Sequence, residues 1–159
     1  LADYPEANAS WGDKAITRHG SVDIGIAVAL PDGLITPVVR SADQKSLSQI
    51  AGEIRDLAGR AREGQLAPDE YQGNTFTISN LGMFGIDNFD AVINPPHGAI
   101  LAVGAGVKKP IVGKDGELSV ATVMSLTLSV DHRVIDGALG AQLLQAIVDN
   151  LENPLAMLA

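Results

Sequence analysis

The sequence predicts an α/β fold, and three stretches carry that prediction. From Val120 to Val130, Val120, Thr122, Met124, Leu126, Leu128 and Val130 share one parity, with Ala121, Val123, Ser125, Thr127 and Ser129 on the other. That period of two marks a half-buried strand. Beyond Gly137 the period lengthens: Leu139, Leu143, Leu144, Ile147, Val148 and Leu151 recur at helical spacing. A second helical stripe runs from Ser46 through Leu47, Ile50, Ala51, Ile54, Leu57, Ala58 and Ala61. With 159 residues, 46% of them hydrophobic, the chain can bury one sizeable core. Residues 1–159 therefore read as a single domain.

Taken in order, residues 1–20 are mixed and polar, with Trp11 the only tryptophan. Asn8-Ala9-Ser10 matches a glycosylation sequon, which reads as chance because nothing else indicates secretion. Val22, Ile24, Ile26, Val28 and Leu30 alternate with small residues as one strand. Pro31-Asp32-Gly33 is turn chemistry, so Leu34 to Val39 is expected to return as the partner strand. Pro37 within it fits an edge or a strand end better than a central position. Glu53, Arg55, Asp56, Arg60, Arg62 and Glu63 form the solvated face of the following helix, and Gly64 stops it. Pro68-Asp69-Glu70 begins a short helical turn.

Thr75, Thr77 and Ser79 share a strand face opposite Phe76 and Ile78. The glycine- and proline-rich stretch 81–98 that follows either lines a substrate channel or merely connects strands. Ala99 to Val107 reads as one buried strand; its Gly104-Ala105-Gly106 lacks the third glycine of a dinucleotide fingerprint. Lys108 and Lys109 are read as a solvated turn, and Lys114-Asp115-Gly116 as another. The apolar tail Asn153–Ala159 is expected to pack on its own domain or to anchor a neighbouring subunit.

Composition narrows the chemistry. The chain has no cysteine, which excludes disulfides, a cysteine nucleophile and thiolate metal sites. A net charge of −8 argues against nucleic acid and anionic membranes as partners. No apolar run approaches the ~20 residues of a membrane helix, and no signal-peptide pattern opens the chain. The chain begins with Leu1 rather than Met, as expected of a fragment or of a processed product.

The most informative stretch runs from Ser129 to Ala138, where the predicted strand gives way to the last helix. If the strand continued, His132 would share the parity of Leu128 and Val130 and face the apolar side, poised as a general base. Asp136, just ahead of the helical run, equally suits a helix N-cap. Spacing by itself leaves structural and catalytic readings open. A serine hydrolase would need a Gly-x-Ser-x-Gly elbow, which does not occur. His132 and Asp136 fall short of the three or four ligands of a metal site, so no metal is expected. His19 and His97 sit beside glycines and read as surface residues.

The segment Ser129–Ala138, with its His-x-x-x-Asp-Gly at His132, Asp136 and Gly137, resembles a signature of the E2 dihydrolipoamide acyltransferases. These form the cores of the 2-oxo acid dehydrogenase complexes. Thr75–Gly85, Asn94-Pro95-Pro96 with Ala99–Gly104, Pro5–Ser10 and Pro31–Arg40 resemble other segments of that family, in the family's order. The resemblance implies a chloramphenicol-acetyltransferase-like two-layer fold, a mixed β-sheet with packed helices, of which the N-terminal part is missing. The chain is then the C-terminal portion of the catalytic domain, with the lipoyl and peripheral-subunit-binding domains absent. An upstream arginine that pairs with the motif aspartate in the family is not matched here.

The implied reaction moves an acyl group between the thiols of dihydrolipoamide and coenzyme A, both substrates, with no metal. Ser79-Asn80-Leu81-Gly82-Met83-Phe84-Gly85 is most like the pyruvate type, so acetyl is the expected group; succinyl or branched-chain transfer is the alternative. The reference thiol and imidazole values lie ~2 units apart, roughly 2.8 kcal/mol, which a base in contact with the thiol can bridge. The resemblance assigns His132 as base, Ser79 as oxyanion donor and Asp136 as support for the motif turn. Implied partners are lipoyl domains, a homotrimer that assembles into a larger core, and E1 and E3 components through the absent upstream domains. The implied compartment is the bacterial cytoplasm, or else the mitochondrial matrix. A non-catalytic E2-like core subunit is the other reading, disfavoured because His132 and Ser79 are both retained.

Overall fold

The computed structural model describes residues 1–155. Most of the expected docking tail therefore lies outside the described residues. In chain order the strands are β1 (Ala9–Trp11), β2 (Ile16–Arg18), β3 (Ile24–Ile26), β4 (Val28–Leu30), β5 (Gly33–Ile35) and β6 (Val38–Val39). Helix α1 (Leu47–Arg62) is followed by β7 (Phe76–Asn80), β8 (Ala99–Val103), β9 (Val107–Val112), β10 (Leu118–Val123), β11 (Leu126–Val130) and α2 (Gly137–Glu152).

The main sheet has five strands in the order β11-β8-β7-β3-β6. β8 runs parallel to β7, and β7 to β3, while β11 and β6 are antiparallel at the edges. The expected mixed sheet is present. Because successive side chains point to opposite faces, Phe76 and Ile78 join Ala99, Leu101, Leu128 and Val130 on one face. There they meet Leu143 of α2 and Ile135, both essentially without exposure. Thr77, Ser79, Ile100, Ala102 and Thr127 occupy the other face, as the parity of β7 predicts.

Both helices begin where the sequence places them. Ser46 caps α1 in a reciprocal capping box: its hydroxyl accepts from Gln49 N–H at 3.3 Å, and Gln49 Oε1 accepts from Ser46 N–H at 2.8 Å. Only the C-terminal half of the predicted apolar stripe is covered; Leu57 and Ala61 are buried, whereas Leu47 is 54% exposed. Pro68–Glu70 forms the expected short turn, of 3-10 type.

Four predicted strands are each divided in two. The Val22–Leu30 run breaks at Ala27, whose N–H makes the last bond of the β3–β7 ladder, to Ile78 O at 2.9 Å; beyond it β4 leaves the sheet and pairs with β5. The returning strand breaks at Thr36-Pro37, where proline has no N–H to donate. Ala99–Val107 breaks at Gly104, and Val120–Val130 breaks at Met124-Ser125, where Gly104 N–H donates to Ser125 O at 3.0 Å. Beyond these paired breaks β9 and β10 continue as a separate two-stranded arm. Lys108 and Lys109 thus lie in a strand and not in a turn, with Lys109 Nζ 2.8 Å from Asp87 Oδ2. The expected turn at Lys114–Gly116 closes the arm, with Gly116 at φ +84°.

Candidate active site

Ser79 sits one residue from the end of β7, half-buried, on the sheet face away from α2. It lines two adjoining cavities. One, of about 560 Å³, is walled by Thr77, Ile100 and the segment Phe89–Asn94. The other, of about 620 Å³, lies between Ile54 and Ala58 of α1, Val28 and Leu34, and the Leu81–Phe84 turn. Part of the glycine- and proline-rich stretch after Ser79 is therefore a cavity wall as well as a connection. No hydrogen bond joins the Ser79 hydroxyl to another group among the described residues, so it is not consumed in holding the backbone. The face beside it is ordered by Asn74, buried, whose Nδ2 donates to Thr77 Oγ1 at 3.0 Å and Phe76 O at 3.1 Å. Asn74 takes the space a side chain at position 25 would need: a Cβ on Gly25 would stand 2.5 Å from its Nδ2.

His132 is not on an extended strand. β11 ends at Val130, and Asp131 N–H makes a last ladder-like bond to Gly98 O at 2.8 Å. The N–H groups of Val134 and Ile135 then both donate to Asp131 O at 2.9 Å, closing a tight turn. Buried Ile135 anchors that turn in the core, which leaves His132 exposed between Asp131 and Arg133. The expectation that strand parity would aim the imidazole into dry surroundings is corrected: the turn resets the parity. Asp136 is the N-cap of α2, its Oδ1 accepting from Leu139 N–H at 2.8 Å. Of the two structural roles open to it, cap or ion-pair partner, the cap is the one present.

The three residues do not converge within one chain. Ser79 pairs with Ala102, and Ala102 with Thr127, so Ser79 is level with Thr127 on the far edge strand. Val130 is three residues beyond that level, and His132 follows after Asp131 has extended the same direction. Two strand spacings of ~4.8 Å and three rises of ~3.3 Å separate Ser79 from Val130 by roughly 14 Å. A general base needs a reach of ~3 Å to the atom it serves. The backbone positions that carry His132 and Ser79 in one chain are thus well separated across the sheet.

The structure also gathers polar residues that sequence reading missed. Arg133 binds Asp131 with both ends of its fork, Nε to Oδ1 at 2.9 Å and Nη2 to Oδ2 at 2.6 Å. Its guanidinium carbon stands 4.8 Å from the Trp11 ring centroid. The fork holds the Asp131 carboxyl below its ordinary range and raises Arg133, through the same bonds. Ser10 Oγ lies 2.6 Å from His19 Nε2, and Ser10 bridges His97 in an isolated antiparallel pair. His97, read as a surface residue, is 7% exposed with no partner for Nδ1; burial pushes its pKa down. The Trp11–Arg133 and Ser10–His97 contacts join β1 to segments far along the chain, and no local signal in the sequence announces them. Among the described residues there is no cluster of three potential metal ligands, and no helix is long and apolar enough to cross a membrane.

Comparison with known proteins places this geometry. The family model described as 2-oxoacid dehydrogenases acyltransferase (catalytic domain) matches residues 1–159. The dihydrolipoyllysine-residue acetyltransferase component of the pyruvate dehydrogenase complex of Rhizobium meliloti is 53% identical over 99% of this chain and 35% of its own length. Among solved structures, the Azotobacter vinelandii dihydrolipoamide acetyltransferase is 41% identical with a TM-score of 0.94, covering 100% of this chain and 66% of that one. The cubic core of a pyruvate dehydrogenase multienzyme complex is 40% identical with the same score and the same coverage. The chain thus spans about a third of that curated relative's length and about two thirds of these solved cores. Its mixed sheet with two packed helices is the chloramphenicol-acetyltransferase-like fold of those cores, and the chain belongs to the 2-oxoacid dehydrogenase acyltransferase family, matching the model of its catalytic domain.

Proposed function

We propose that this chain is the C-terminal portion of an E2 catalytic domain. It transfers acetyl between dihydrolipoamide and coenzyme A in a pyruvate dehydrogenase complex, at sites shared between neighbouring copies. The observation that carries the reading is the separation just described: the backbone positions that carry the base candidate and the oxyanion donor lie well apart in one chain, which favours a site shared between copies. The work on the Azotobacter relative concerns a serine, a histidine and an asparagine in its catalytic mechanism, the last two four residues apart. His132 and Asp136 keep that interval, with aspartate in place of asparagine.

In this mechanism His132 of one copy takes the proton of the attacking thiol. The sulfur bonds to the thioester carbonyl carbon, and the carbonyl oxygen becomes an oxyanion facing Ser79 of the neighbour. The Ser79 hydroxyl, free of other bonds, donates to that oxygen. Collapse breaks the original carbon–sulfur bond, and the departing thiolate takes the proton back from the imidazolium. Both ends are thioesters and no net proton is consumed. Base catalysis of this kind contributes ~10²–10⁴-fold. Asp136 acts at one remove, as the cap that fixes the start of α2 behind the turn.

Partners on this reading are lipoyl domains, two further copies in a trimer, and E1 and E3 components held by other parts of the protein. The compartment is the bacterial cytoplasm.

The test mixes two near-inactive variants, His132→Ala and Ser79→Ala, in equal amounts, unfolds them together and reassembles them. Sites drawn from two copies regain both groups in roughly a quarter of random arrangements. Mixed assemblies no more active than either variant, with subunit exchange verified by mass, would overturn the shared site.

A further inference from the structure

The His132 side chain has no hydrogen-bond partner among the described residues, so its aim depends on the backbone that carries it. That backbone is held from both sides. Asp131 before it and Arg133 after it clasp each other with two side-chain bonds, of 2.9 and 2.6 Å. Arg133 N–H also donates to Asp131 Oδ1 at 3.1 Å. The clasp is itself seated: the guanidinium rests 4.8 Å from the Trp11 ring centroid. The backbone that carries Trp11 is held in turn, its main-chain N–H donating to Pro96 O at 3.2 Å, within β1. A planar fork that binds a carboxylate and stacks on an aromatic face is a geometry only arginine supplies.

We propose that Arg133, seated on Trp11 and clasped to Asp131, is the positioning residue that aims His132 at the substrate thiol. The proposal rests on His132 being the base. The Arg133 side chain is 60% exposed, and exposed ion pairs add little to stability. Its removal should therefore disturb catalysis without disturbing the fold. Positioning and stability then give different experimental signatures.

The test compares Arg133→Lys, Arg133→Gln, Trp11→Leu, Trp11→Phe and His132→Ala in the assembled protein. Rates of acetyl transfer between acetyl-CoA and dihydrolipoamide are measured alongside melting temperature and assembly mass. Arg133→Lys, Arg133→Gln and Trp11→Leu should each lower kcat on the order of 10- to 100-fold, as displacement of a reacting group does. KM for both substrates should stay within about twofold, since binding is not what is lost. Trp11→Phe retains a ring face and should recover most of the rate. Parental kcat in Arg133→Lys and Arg133→Gln, with His132→Ala inactive, would overturn the positioning role and leave the base assignment standing. Full activity in His132→Ala would remove the base and the positioning role together. A fall in kcat matched by a fall in melting temperature, with Trp11→Phe no better than Trp11→Leu, would make the contact merely structural and overturn the proposal.

Discussion

A Cβ placed on Gly104 would stand 2.0 Å from the carbonyl oxygen of Asp87. The loop after Ser79 is therefore packed directly against the point where β8 gives way to β9. Ala105 N–H donates to Ile86 O at 2.8 Å, and Leu81 N–H to Val103 O at 3.2 Å. The kink, the cavity wall and the end of β7 form one unit, held together because position 104 has no side chain.

Gly104→Ala should for that reason be costly well beyond ordinary helix or strand propensity. The contact is with backbone, which cannot rotate away, and overpacking of this kind costs ~1–3 kcal/mol or more. Chemical denaturation of the assembled protein should show a lower midpoint for the variant. A midpoint equal to the parent would mean the loop can lift from the kink.

Ser79→Ala removes one hydroxyl from a strand whose other contacts it does not make. Stability should hardly change, while kcat falls ~10²–10³-fold, the usual loss of one oxyanion donor. KM should be nearly unaltered because the bond is made in the transition state. A rise in KM at constant kcat would make Ser79 a binding residue.

Asp136→Ala removes the N-cap of α2 and should destabilise by ~1 kcal/mol, whereas Asp136→Asn, which caps as well, should cost much less. Melting temperatures of the two variants provide the comparison. Equal losses would show that the negative charge, and not the cap, is what position 136 contributes.

Ile135 is fully buried and anchors the His132 turn. Ile135→Ala should cost ~2–5 kcal/mol and Ile135→Val ~0.5–1.5 kcal/mol. Since the anchor sits three residues from His132, the milder variant is the one in which activity can be read with the fold intact. An Ile135→Ala protein as stable as its parent would mean that the turn is held by its hydrogen bonds alone.

His97 supplies a pH dependence. Burial lowers its folded pKa below the ordinary value of 6.5, so between the two values the unfolded chain holds more protons. The corresponding stability is fully present above ~6.5 and is lost as pH falls through the lower folded value. Melting temperature should therefore decline as pH drops below ~6.5, before carboxylates titrate. In His97→Gln this part of the decline should flatten; an unchanged slope would assign it to another group.

The sequence by itself placed most of the elements. Alternation placed Ser79 opposite Phe76 and Ile78, and the helical stripes with their Ser46 and Asp136 caps placed α1 and α2, because those signals are local. The motif segments pointed to the family for the same reason. What only the tertiary structure decided is where strands end and which ends meet. Val22–Leu30 and Val120–Val130 read as unbroken because alternation continues through Ala27 and Ser125, and Ala99–Val107 because it is apolar and small throughout. Each break falls where the backbone meets residues distant in sequence, Ala27 at Ile78 O and Gly104 at Asp87 O and Ser125 O. His132 escaped its strand parity through the turn closed on Asp131 O, and His97 was buried by β1. Trp11 met Arg133 across most of the chain's length. Pairwise contacts of that kind leave no periodic trace, so the separation of Ser79 from His132, on which the shared-site reading rests, became legible only in the register of β7, β8 and β11.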